Sequence, residues 1–131
     1  MPYGDTTSVE IERIATGIVN ASFTVHQKTG PGLLESVDEA FLAVELRKRG
    51  FTVARQVVVP LVYDGVELEE GFRIDLLVND LVIIEVKAVE KMIPIFEAQV
   101  LTYLKLKGKR LAFLINFNVT RIKDGLQRVI L

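Results

Sequence analysis

Residues 73–89, Arg-Ile-Asp-Leu-Leu-Val-Asn-Asp-Leu-Val-Ile-Ile-Glu-Val-Lys-Ala-Val, set two acids and a lysine inside an apolar run. Val and Ile dominate the run and Asn79-Asp80 supplies turn chemistry at its middle, which predicts a β-hairpin with strands near 72–78 and 82–88. Strands apolar on both faces are normally covered on both sides. Asp75, Glu85 and Lys87 are therefore expected to be partly shielded from water, where a charge must be paired or bind an ion.

Parity sharpens this expectation, because residues two apart on a strand, and partners directly across a hairpin, share a face. Glu85 and Lys87 point the same way. Asp75 joins them only if pairing is centred on Asp80, which sets Asp75 opposite Glu85 and requires a three-residue connection such as Asn79 to Leu81, or a bulge. A two-residue turn would place Asp75 across from Ile84, on the wrong side.

The remaining composition narrows the chemistry. With 131 residues, half of them hydrophobic and a quarter charged, the chain predicts one globular domain spanning 1–131. It has no cysteine and a single histidine, His26, so thiolate zinc sites and histidine clusters are excluded and any metal must rest on oxygen ligands. No apolar run approaches the ~20 residues of a membrane span. The start, Met-Pro-Tyr-Gly-Asp, lacks the regions of a signal peptide, and a cytoplasmic location is expected. A net charge of −1 argues against a general nucleic-acid coat protein while leaving room for a local basic patch.

In chain order, Thr7-Ser-Val-Glu10 reads as a capping box opening a helix to about His26, with Ile11, Ile14, Ile18 and Val25 at helical spacing. Gly17 inside it marks either a weak point or close packing. His26 is expected to be a helix-terminal histidine favoured by the dipole. After Lys28-Thr-Gly-Pro-Gly32 a second helix is predicted over about 33–49, with Leu34, Val37, Phe41 and Val44 as its apolar stripe, Glu35 in its first turn, and Asp38 and Glu39 on an adjoining face. A strand follows over 52–63, inward at Val53, Val57, Val59, Leu61 and Tyr63. It ends at the hairpin signal Asp64-Gly65, and the acids of 67–70 are expected to form a solvated edge. Pro94 opens a third helix closed by Gly108, with contacts from Ile95, Ala98, Leu101 and Leu104 or Leu106. Gln99 and Tyr103 lie one turn apart on it. Strands near 111–117 and 128–131 complete an α/β sandwich around a mixed sheet.

An Asp on one strand, Glu-x-Lys on its neighbour and a further Glu on a packed helix offer oxygen ligands for a hard cation with an ammonium group alongside. Magnesium is bound through one or two carboxylates plus water and phosphate, and a lysine beside it can orient a water or stabilise developing negative charge. The reaction class this suits is phosphodiester hydrolysis.

Gly30-Pro-Gly-Leu-Leu-Glu-Ser36, Gly71-Phe-Arg-Ile-Asp-Leu-Leu77, Ile84-Glu-Val-Lys-Ala-Val-Glu90, Ala98-Gln-Val-Leu-Thr-Tyr-Leu104 and Leu114-Ile-Asn-Phe117, in this order and spacing, resemble the PD-(D/E)XK nuclease superfamily, and within it the small prokaryotic proteins named for a GxxExxY motif. The resemblance implies a restriction-endonuclease-like α-β-β-β-α-β core over about 33–131, with the helix of 7–26 as an addition. It further implies Asp75, Glu85, Lys87 and Glu35 as catalytic residues. Asp75, Glu85, Glu35 and the backbone carbonyl of Val86 would be metal ligands for Mg²⁺ or Mn²⁺, and Gln99 and Tyr103 would line the cleft. Two positions depart from the pattern: Asp38 stands where the motif has tyrosine, adding negative charge near the expected phosphate, and Phe96 stands where many members have histidine and cannot donate a hydrogen bond.

The expected function is Mg²⁺-dependent hydrolysis of nucleic acid, DNA more than RNA, by a homodimer. The alternative is a nuclease-fold protein that binds nucleic acid or nucleotide without cutting, or serves as a subunit. A third reading makes the acids and lysine a structural ion-pair network, a poor source of stability compared with apolar residues of similar size. The metal reading places Asp75, Glu85 and Lys87 on one sheet face, turned toward Glu35 and Gln99.

Overall fold

Among the described residues five strands form one mixed sheet in sequence order, flanked by three helices. The computed structural model describes residues 7–131, without the side chains of Glu69 and Glu70; those two members of the expected solvated edge lie outside the described residues, while Glu67 is exposed. The elements are α1 (Val9–Thr29), α2 (Glu35–Lys48), β1 (Val53–Tyr63), β2 (Val66–Val78), β3 (Val82–Lys87), α3 (Pro94–Lys107), β4 (Leu111–Asn116), a 3₁₀ turn (Ile122–Asp124) and β5 (Leu126–Ile130). Strands β1, β2 and β3 form an antiparallel meander, α3 connects β3 to the parallel β4, and β5 returns antiparallel. From α2 to β4 this is the α-β-β-β-α-β order, with α1 added in front.

One core fills the side covered by α1 and α2, where Ile14, Ile18, Leu42 and Leu46 meet Leu76, Val78, Ile84, Val86, Phe113 and Ile115. A second core joins Val100, Tyr103 and Leu104 of α3 to Val59, Ile74, Leu77, Ile83 and Leu114. Burial on both faces explains why β3 and β4 read as continuous apolar runs rather than alternating ones.

Helix α1 starts one residue later than the capping box suggested. Ser8 is the N-cap and accepts the Ile11 amide at 3.1 Å, while the Thr7 hydroxyl donates instead to Glu12. The helix also continues past His26 to Thr29, whose hydroxyl donates to the Val25 carbonyl. Gly17 faces the ring of Phe51: a β-carbon there would lie 2.4 Å from two ring atoms. Its absent side chain thus admits Phe51 to the core, and Gly17→Ala is expected to destabilise by about 1–3 kcal/mol despite alanine's better helix propensity, measurable as a fall in denaturation midpoint at unchanged m-value.

Helix α2 inverts the expected stripe. Leu34, Phe41 and Val44 are exposed, and the buried positions are Asp38, Glu39, Leu42, Ala43 and Leu46. Two apolar stripes compete on this helix, and packing against α1 selects the one ending in Leu42 and Leu46, which carries two acids into the interior. A similar choice turns Ile95, Ala98 and Leu106 of α3 outward and buries Val100, Tyr103 and Leu104.

The register of β2 and β3 pairs Leu76 with Ile84, Leu77 with Ile83 and Val78 with Val82. The connection is therefore the three-residue Asn79-Asp80-Leu81, with Asn79 and Asp80 both left-handed, and Asp75 lies opposite Glu85. In β1, by contrast, the expected period of two fails part-way. Val53 packs on the α1–α2 side and Val57 on the α3 side, although residues four apart on a regular strand share a face. Gln56 between them has φ 53°, and its register partner in β2 is Asp75, where the same switch recurs: Ile74 faces α3 and Leu76 faces α1 and α2. Both strands change sides at this pair.

Candidate active site

The candidate side chains gather where the β2–β3 ladder opens. Beyond the Leu76–Ile84 pair, carboxylates take over the backbone donors. The Asp75 amide donates to Glu85 Oε1 at 3.0 Å, and the Val86 amide donates to Asp75 Oδ2 at 2.8 Å. Each acid is thus held by the other strand's end of the hairpin, leaving Asp75 Oδ1 and Glu85 Oε2 as the oxygens those two amides do not engage. Glu85 is buried and Asp75 half-buried.

Burial and mutual repulsion push both carboxyls upward. Desolvation is the main cause for Glu85, reinforced by Asp75 and Glu35 and opposed by the Asp75 amide and Lys87; its pKa rises to about 8. Asp75 rises to about 6, again chiefly by desolvation, with the Val86 amide pulling it down and Glu39 and Glu35 pushing it up. Two acids that repel while sharing a shielded site form a strained pair that a cation would relieve.

Lys87, two residues beyond Glu85, extends toward α3, where its Nζ lies 4.4 Å from the centre of the Phe96 ring. Among the described residues no carboxylate lies within ion-pair distance of it. Phe96, unable to act as a hydrogen-bond donor, instead supplies an aromatic face for the ammonium group. Tyr103, one turn further along α3 from Gln99, is buried against Phe72 with ring centroids 5.2 Å apart. Burial, and then the fields of Glu85 and Asp75, raise its hydroxyl to about 12, so it keeps its proton through neutral pH.

Other expected members stand apart. Glu35 is exposed in the first turn of α2, near enough to repel both strand acids. Among the described residues no three acids or histidines converge as a metal-holding group. Asp75 and Glu85 are thus the two acids brought together, with the Val86 backbone beside them. Gln99 is half-buried on α3, and among the described residues no hydrogen bond joins it to the acids.

The residues that periodicity missed are Glu39 and Gln56. Glu39 is 4% exposed and accepts from Arg55 Nε and Nη2 at 3.2 and 3.1 Å and from Gln56 Nε2 at 2.9 and 3.1 Å. Gln56 Nε2 also donates to Asp75 Oδ1 at 3.3 Å. A signal for Glu39 was present: it lies four residues after Glu35 and so shares its helix face. Nothing in the sequence marks Gln56.

Asp38 is turned into the interior. It is 1% exposed, and its Oδ1 lacks a hydrogen-bond partner among the described residues. Desolvation lifts its pKa to about 6, against the pull of His26 and with a push from Glu35. His26 is itself buried, donating from Nε2 to the Val119 carbonyl at 2.8 Å, so it ties α1 to the loop after β4 rather than serving the helix terminus. An acid whose folded pKa is raised binds more protons folded than unfolded, and its charge costs stability as pH rises through about 4 to 6. Asp38→Asn is therefore expected to raise stability by about 1–3 kcal/mol at pH 7, a gain that urea titrations should show vanishing near pH 4.

The donor set fits a hard divalent cation: oxygen ligands of like charge and raised pKa, in the number magnesium commonly takes from a protein before water and phosphate complete its shell. Among the described residues no helix is long and apolar enough to cross a membrane. Residues 12–129 match the family model PDDEXK_3 of the PD-(D/E)XK nuclease superfamily. No curated protein and no solved structure matches.

Proposed function

We propose that this chain, which belongs to the PD-(D/E)XK nuclease superfamily, is a Mg²⁺- or Mn²⁺-dependent nuclease hydrolysing phosphodiester bonds, DNA more readily than RNA. The observation that carries the reading is the repelling pair Asp75 and Glu85 at the opening of the ladder, with Lys87 beside it and free of an acid partner among the described residues. A structural ion-pair network would instead bring Lys87 against one of those carboxylates.

Asp75, Glu85 and the Val86 carbonyl hold the cation in this reading. When bound, it supplies Lewis-acid polarisation of the phosphodiester and a more acidic attacking water. Lys87, steadied by Phe96, presents its ammonium group to the negative charge that develops on the phosphoryl oxygens. Tyr103 keeps its proton and offers a donor from the α3 side, and Gln99 on the same helix lines the approach for substrate. Glu35, exposed at the mouth, contributes negative charge and tunes the two acids without holding the metal.

Incubating the protein with Mg²⁺ or Mn²⁺ and a panel of single-stranded, duplex, branched and RNA substrates tests the reading. Cleavage that copurifies with the protein and is lost in Lys87→Ala supports it. Tight binding of the same substrates without cleavage would replace it with a non-cutting nucleic-acid-binding role.

A homodimer accompanies this proposal, since cutting both strands of a duplex takes two such centres. The tip of the β1–β2 hairpin exposes Val62, Tyr63, Val66 and Leu68, apolar side chains of the kind an interface covers. The expected mass in solution at micromolar concentration is twice that of the chain, and Tyr63→Glu should return it to the monomer. We place the protein in the cytoplasm, where its proposed substrate and cation are both at hand.

A further inference from the structure

The sequence-to-structure mismatch in β1 points to a device that the two strand acids alone do not explain. Successive residues of a strand project to opposite faces, yet Arg55 and Gln56 both reach the single carboxylate of Glu39. They can do so because Gln56 is left-handed, at φ 53°. A non-glycine residue holds that conformation only where its surroundings over-determine it. The surroundings here are a buried acid on α2 and, directly across in β2, Asp75. Gln56 Nε2 lies within hydrogen-bond distance of both. With two carboxylates as neighbours, its side-chain orientation is fixed: the amide nitrogen must face inward, since the amide oxygen would meet only acceptors.

The strands β1 and β2 change sides at this pair, so the Asp75 side chain cannot be aimed by regular sheet geometry. Its Oδ2 is held by the Val86 amide, which still leaves the carboxylate free to turn about that one bond. We infer that Gln56 is a positioning residue for Asp75, anchored in turn by Glu39, and that this Glu39–Gln56–Asp75 clamp sets the direction in which Asp75 offers Oδ1 to the cation. The inference rests on the metal-dependent reading proposed above. It assigns the buried α2 acid a role distinct from ligation, because both oxygens of Glu39 are occupied by Arg55 and Gln56.

The variant Gln56→Asn separates positioning from folding. Asn tolerates the left-handed backbone but falls one methylene short of bridging Glu39 and Asp75. Three measurements are made on the full chain: the melting temperature, exchange of the Val86 amide by NMR, and Mn²⁺ binding by calorimetry. We expect a melting temperature within 2 °C of wild type, Val86 exchange at least about 5-fold faster with Leu114 unchanged, and Mn²⁺ affinity reduced about 3- to 10-fold. In cleavage assays kcat should fall while KM for nucleic acid stays the same. Glu39→Gln should reproduce the Mn²⁺ effect, and combining it with Gln56→Asn should add little, because both cut the same chain. Should either variant unfold, Gln56→Lys serves instead: it keeps a donor with similar reach and should retain Val86 protection. Wild-type Val86 exchange in Gln56→Asn would overturn the clamp. So would additive losses in the double variant. Failure of the wild-type protein to bind Mn²⁺ would instead overturn the metal-dependent reading, with Val86 exchange still judging the clamp on its own.

Discussion

Lys87→Ala is expected to reduce cleavage by about 10²- to 10⁴-fold, the range associated with removing a positioned proton-transfer or charge-stabilising group. The loss should appear in kcat, because the ammonium group meets charge that develops during the reaction rather than charge already present in bound substrate. Stability should hardly change, since Lys87 rests on the Phe96 ring, and an exposed or half-buried cation–π pair is worth about 0.5–1 kcal/mol. Lys87→Arg would keep the charge and the aromatic contact but spread it over a wider plane, so partial activity is expected from it. Single-turnover cleavage at saturating Mg²⁺ with thermal melts of the same preparations measures both quantities. Undiminished turnover in Lys87→Ala, or a collapse of its melting temperature, would contradict this account.

The second large effect concerns Asp75 and has a definite sign. Both strand acids are raised when folded, Asp75 to about 6 and Glu85 to about 8. Between roughly pH 4 and 8 the folded protein therefore holds protons that the unfolded chain has lost, and without metal its stability falls as pH rises. Asp75→Asn removes one member of the pair. Its Glu85 partner then ionises with less opposition, so at pH 8 the variant should match the wild type or exceed it by up to about 2 kcal/mol. Loss of the Gln56 bond to Oδ1 offsets part of that gain. At pH 4, where both acids are protonated in the folded state and roughly half protonated in the unfolded one, most of the difference should be gone.

Metal reverses the ranking. A ligand bound only by the folded state at 100 times its Kd stabilises by about 2.7 kcal/mol, worth several degrees in a domain of this size. Millimolar Mg²⁺ should raise the melting temperature of the wild type and leave Asp75→Asn almost unmoved. If Asp75 served as a structural counter-ion, removing its charge would cost about 3–5 kcal/mol and Mg²⁺ would shift neither protein. Melts across pH 4 to 8, with and without Mg²⁺, distinguish the two.

Local rules were enough to read the hairpin at the centre of this molecule. Asn79-Asp80 announced a turn, parity demanded a three-residue connection if Asp75 was to meet Glu85, and the register has that centre. Pro94 and Gly108 bounded α3 for reasons of backbone chemistry alone. What stayed hidden depended on choices between equivalent local solutions. Helix α2 offers Leu34, Phe41 and Val44 as plausibly as Leu42 and Leu46, and only the surface of α1 decides between them. Once that choice is made, Asp38 and Glu39 turn inward, and Arg55 and Gln56 become necessary partners for Glu39. The reversal at Gln56 has no signature in composition, because glutamine is not a residue that favours a left-handed backbone. Long-range pairing imposes it, and periodicity within one strand cannot report it. For the same reason Phe96 looked like a lost donor until the path of Lys87 gave its ring a use.

The left-handed residue in β1 also bears on how the molecule avoids its own kind. As the first strand of the sheet, β1 has one side with no neighbouring strand among the described residues, and a long straight edge would template cross-molecular sheet growth. Here the edge is broken at Gln56, again by Pro60, which has no amide hydrogen to donate, and by the register shift between Val59 and Leu61. Gly71 secures that shift, since a β-carbon there would sit 2.0 Å from the Val59 carbonyl oxygen. An incoming strand thus finds no unbroken run of donors along β1, and the backbone reversal that brings Gln56 to Asp75 also makes this edge a poor template.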